Sequence, residues 1–74
     1  MANQLQDRYA EMLLEKISRD TYPSTTHMDM LEAVASPRVL VAYTLSLMAR
    51  IEKEPHPSIS MMRRLERLIP LFND

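Results

Sequence analysis

The apolar residues of this chain recur at the three- and four-residue spacing of helices, most densely in SPRVLVAYTLSLMARIEK, residues 36–53. On a helical wheel Leu40, Tyr43, Leu47 and Ile51 share one face of that stretch. Val41, Leu45 and Met48, with Ala42 and Ala49, fill much of another, and Ser46 and Arg50 mark the wet side. A helix apolar most of the way round must be covered on several sides, in a chain this short by its own neighbours and by a second molecule. Upstream, Leu5, Tyr9, Met12, Leu13 and Ile17 give a first helix, from a cap at Asn3 to about Arg19, one apolar face. A short second helix ending near Ala35 carries Met28, Leu31 and Val34 inward. A fourth, from about Ser58 to Ile69, carries Met61, Met62, Leu65, Leu68 and Ile69 inward, and Pro70 to Asp74 form a tail.

The breaks between these helices are written in proline and serine, because the chain contains no glycine. Ser36 followed by Pro37 is a strong start for the central helix: the hydroxyl accepts an orphan N–H, and proline at the first helical position sacrifices no hydrogen bond. In DTYPSTT, residues 20–26, the residue before Pro23 is driven out of helical geometry. Ser24, Thr25 and Thr26 are all candidate caps there, and Thr26 with Asp29 resembles a capping box.

Slid along itself until Tyr9 falls on Tyr43, the chain superimposes without a gap. Leu13 then falls on Leu47, Ile17 on Ile51, Pro23 on Pro57, Ser24 on Ser58, Met28 on Met62, Leu31 on Leu65 and Glu32 on Glu66. Helical periodicity alone does not bring the Pro-Ser breaks and their flanking charges into register. The reading is a single all-α domain over residues 1–74: four helices built from two tandem helix-turn-helix repeats, residues 3–36 and 37–70, with a pseudo-twofold axis and a short tail at 71–74. Tetratricopeptide repeats share the period, but their first-helix glycine and small crossing residues are missing and the proline lies inside the unit. The turn also lacks the alternating oxygen ligands and glycine of a calcium-binding hand.

Composition removes most chemistry. Without cysteine there is no disulfide, thiolate metal site or thiol nucleophile, and without glycine no phosphate-cradling loop. No serine sits in a motif with a histidine and an acid, so no catalytic residues and no enzyme activity are expected. His27 and His56 lie beside equivalent turns, but no third or fourth ligand stands at a metal-binding spacing; they read as exposed turn histidines, with no metal and no cofactor. The amino terminus has no signal-peptide pattern and no apolar run approaches a membrane span, which places the chain in the cytoplasm.

What remains is surface. Where the first helix carries Asp7, Glu11 and Glu15, the central helix carries Val41, Leu45 and Ala49. Asp29, Met30 and Ala33 of the second helix become Arg63, Arg64 and Arg67 of the fourth, so one short helix is acidic and its counterpart basic. The expected function is protein–protein interaction or assembly, as a homo-oligomer or a small subunit or adaptor of a larger complex. Val41, Leu45 and Met48 form the main contact in that reading. Asp29, Arg63, Arg64 and Arg67 orient it, and the adaptable side chains of Met30 and Met61 lie off the shared stripe. The alternative is nucleic-acid binding through Arg63, Arg64 and Arg67. It is disfavoured because nine basic residues against ten acidic leave a net charge of −1, and no Phe or Trp stands among the arginines to stack on bases.

Overall fold

The prolines and their neighbouring serines set the element boundaries. In the computed structural model, which describes residues 4–72, four α-helices follow one another: α1 (Gln4–Arg19), α2 (Thr25–Val34), α3 (Pro37–Lys53) and α4 (Ile59–Leu68). All regular structure among the described residues is helical. The expected cap at Asn3 and the last two residues of the tail lie outside the described residues.

Three serines begin three helices. Ser24, in extended geometry, accepts the His27 N–H at 3.3 Å; Ser58, with nearly the same dihedrals, accepts the Met61 N–H at 3.2 Å; Ser36 accepts the Val39 N–H at 3.4 Å. Thr25 and Thr26 are therefore the first helical residues of α2, and Thr26 is not the N-cap that the expected capping box with Asp29 requires, because Ser24 caps the helix two residues earlier. Ser24→Ala and Ser58→Ala should each lower the free energy of unfolding by about 0.5–2 kcal/mol, measured by urea denaturation. Unchanged midpoints in both variants would contradict these caps. At the other end of α4, Pro70 has no N–H with which to continue the ladder, and the chain tightens into a 3₁₀ turn, Ile69–Phe72, where the sequence suggested a plain tail.

The chain divides between Val41 and Ala42 into two compact units. In the first, α1 and α2 pack as an antiparallel hairpin: the Gln6 amide donates to the Val34 carbonyl at 3.2 Å near one end, and Arg19, Asp20 and His27 line a common hollow at the other. Ala10, Leu13 and Ile17 of α1, Met28 and Leu31 of α2, and Val39 at the start of α3 are buried. This corrects the expected face of α1. Leu5, Tyr9 and Met12 are exposed, Leu5 at 78%. They lie roughly 100° around the helix from the buried row, on which Ala10, too small to stand out in a hydrophobic pattern, permits the close approach.

In the second unit, Tyr43, Thr44 and Leu47 of α3 and Arg64 and Leu68 of α4 are buried. Two further expectations are corrected here. Ser46 and Arg50, placed on the wet side of α3, are half-buried, since they flank the buried row. Met62 and Ile69, placed inside, are exposed, since α4 turns the side bearing Arg64 and Leu68 inward.

Candidate protein-interaction site

On α1 the acidic row has a partner within its own unit. Arg38, the second residue of α3, donates to Asp7 Oδ2 at 2.9 Å and to Glu11 Oε1 at 2.6 Å, one guanidinium spanning two carboxylates a helical turn apart. The Ser36 hydroxyl also bonds Asp7 while its oxygen caps α3, so the entry to α3 is fixed to α1 through two side chains. The Ser36 hydrogen bond, and after it the Arg38 hydrogen bond and charge, hold the Asp7 carboxyl below the ordinary carboxylate range; Glu11 and then Asp7 hold the Arg38 guanidinium above its own.

A depressed carboxyl pKa has a defined consequence for pH. Asp7 binds its proton less readily in the fold than in the unfolded chain, so its contribution to stability is complete above the ordinary Asp value of about 3.9 and disappears as pH falls through the lower folded value. A carbon-13 titration of the Asp7 side chain should give a midpoint below that ordinary value, moving back toward it in Ser36→Ala and in Arg38→Ala. An ordinary midpoint in the native chain would contradict the network.

The row of α3 on which Asp7, Glu11 and Glu15 fall when the sequence is slid until Tyr9 meets Tyr43 is different in character. Val41, Leu45 and Ala49 are exposed, as are Ala42 and Met48, and Leu45 keeps 59% of its surface in solvent. Tyr43 and Leu47, on the opposite side of the same helix, are fully buried. The helix is thus apolar on a buried side and again on an open one. Apart from Met48, the open side is built from small or β-branched residues and one leucine; the exposed Arg38, which bonds Asp7 and Glu11, lies on the same side one turn before Val41 and Ala42, and Glu52 stands beyond them at the other end.

The short helices place the remaining candidates unevenly. Asp29, Met30 and Ala33 are exposed on α2; on α4 Met61 is half-buried, and Arg63 and Arg67 are exposed. Arg64, expected on the surface beside them, retains 6% of its exposure. A long arginine stem covers apolar surface as effectively as a leucine, which a pattern that scores the residue as charged does not register. Ile59, Ser60, Arg63, Arg64 and Arg67 line a shallow depression along α4. His56 is exposed as expected, but His27 is half-buried, with an Nδ1 atom that is shielded from solvent and makes no hydrogen bond.

Two exposed apolar groups were assigned to the interior by the sequence pattern: Leu5, Tyr9 and Met12 on α1, and Met62 and Ile69 in and after α4, beside the exposed Ile59, Leu71 and Phe72. A helical wheel carries no signal that separates them from the core, because every one of these residues falls at core spacing. Among the described residues no group of three or more acidic, histidine or cysteine side chains is placed to hold a metal ion, and no helix is long and apolar enough to cross a membrane. Compared with protein-family models, with curated proteins and with solved structures, the chain matches none.

Proposed function

We propose that this chain is a non-catalytic protein–protein interaction module of the cytoplasm, built from two tandem helix-turn-helix copies. It assembles, as a homo-oligomer or as a small subunit of a larger complex, through the open face of α3. Support for the repeat comes from the element boundaries. The register that sets Tyr9 on Tyr43 also sets the last residue of α1, Arg19, on that of α3, Lys53. It sets both ends of α2, Thr25 and Val34, on those of α4, Ile59 and Leu68, and the caps Ser24 and Ser58 have matching dihedrals. A pseudo-twofold relation between the copies belongs to the same reading.

One observation carries the functional part. The acidic row of the first copy is occupied, because Arg38 spans Asp7 and Glu11, whereas the matching row of the second copy, Val41, Leu45 and Ala49, is apolar and exposed. In the same register Asp7 and Glu11 fall on Val41 and Leu45, and Arg38, at the start of the second copy, falls on Phe72 in the tail beyond it. An apolar row of this kind on a small domain is stabilised by an apolar partner surface rather than by water. The nucleic-acid alternative has less support, since burial of Arg64 leaves Arg63 and Arg67 as the exposed members of the arginine triplet. Leu45→Asp is the test: it places a charge in the centre of the row without touching a buried side chain, and association should be lost while the helices remain.

A further inference from the structure

The two short helices carry opposite net charge, and at one matching position, Asp29 on Arg63, the charge itself is reversed. In α2 the charged residues are Asp29 and Glu32; in α4 they are Arg63, Arg64 and Arg67 against Glu66, so two ten-residue helices hold a net −2 and a net +2. On α2, Asp29 shares an exposed face with Thr26, Met30 and Ala33. On α4, Arg63 and Arg67 are exposed on the rim of a depression whose wall includes the largely exposed Ile59. Each surface therefore has an exposed apolar side chain beside its exposed charge, Met30 with Asp29 and Ile59 with Arg63.

We infer that the depression on α4 receives the Asp29 face of α2 from a second copy of this chain, with the Asp29 carboxylate between Arg63 and Arg67 and Met30 against Ile59. This rests on the reading of the chain as an assembly module and names the partner and the polarity of one of its contacts. A second copy is the occupant because the complementary charge is carried by this same chain, on the helix that α4 matches in the proposed repeat. Arginine suits the position, since its planar fork can meet a carboxylate through two parallel hydrogen bonds. The two surfaces differ, so α4 meets α2 and never itself.

Two charge-reversed chains test this by solution mass at fixed concentration. Asp29→Arg with Ala33→Arg makes both short helices basic; Arg63→Glu with Arg67→Glu makes both acidic. All four sites are exposed, and Arg64 is left in place. Each variant alone should associate more weakly than the native chain, and their equimolar mixture should recover native association. Retention of native association by either variant, or failure of the mixture to recover it, would overturn the inference. Should either variant lose helicity, Asp29→Asn and Arg63→Gln serve instead; both must weaken association, and native association in either would overturn the inference. Loss of association in Leu45→Asp with none in the charge variants would leave the α3 face standing and this contact disproved. The converse pattern would disprove the α3 face and leave this contact standing.

Discussion

Leu31→Ala should reduce the stability of the protein by about 2–5 kcal/mol, the cost of removing a fully buried leucine and leaving a cavity that its surroundings only partly refill. In a chain of 74 residues with no disulfide, that loss is comparable to the whole free energy of folding, typically only about 3–5 kcal/mol from one small core. The variant is therefore expected to be largely unfolded near room temperature by circular dichroism. Leu5→Ala in the same unit provides the contrast. Leu5 also stands at core spacing, yet it is exposed, and its replacement should change the free energy of unfolding by no more than about 0.5 kcal/mol. Equal effects at the two sites would contradict the assignment of the buried face.

That contrast also marks how far the sequence could be read. The number of helices and their boundaries were legible, because a chain without glycine has few ways to stop and restart a helix, and Pro-Ser pairs at residues 23–24 and 57–58 with Ser36–Pro37 between them announce each restart. The choice of cap was less so. Three hydroxyl residues in a row at 24–26 each satisfied the compositional rule, and only the backbone, extended at Ser24 and helical from Thr25, decides among them. The buried face was legible only in part. α1 has apolar residues around only slightly more than half of its circumference, and the side that faces α2 is the one where Ala10 allows close approach, a small residue that a hydrophobic pattern does not weight.

The candidate surfaces show the same division. The exposure of Val41, Leu45 and Met48 was legible because a helix with a second apolar face carries more apolar surface than one short neighbour can cover. Arg64 was not, since its stem and its charge point to opposite conclusions and tertiary packing chose the stem. The clamp of Arg38 on Asp7 and Glu11 joins residues about thirty positions apart, a separation at which charge patterning along a single helix gives no guide.

Leu45→Asp has the largest expected effect on function. Its side chain lies at the middle of the open row of α3, so a carboxylate there desolvates at high cost in any contact that covers the row, while in the free chain it stays in water. Helicity should be retained, because Tyr43 and Leu47 on the opposite side are untouched and aspartate in a helix interior costs less than about 0.7 kcal/mol relative to alanine. Loss of helicity together with association would instead mean that Leu45 supports the fold itself.

The most direct measurement is the solution mass of the native chain by light scattering after size exclusion, across a dilution series, with Leu45→Asp run beside it. The expected result is a native species heavier than the 8.6 kDa chain that dissociates on dilution, and a variant that is helical and monomeric throughout. Native and variant chains of identical mass at every concentration would contradict assembly through this face.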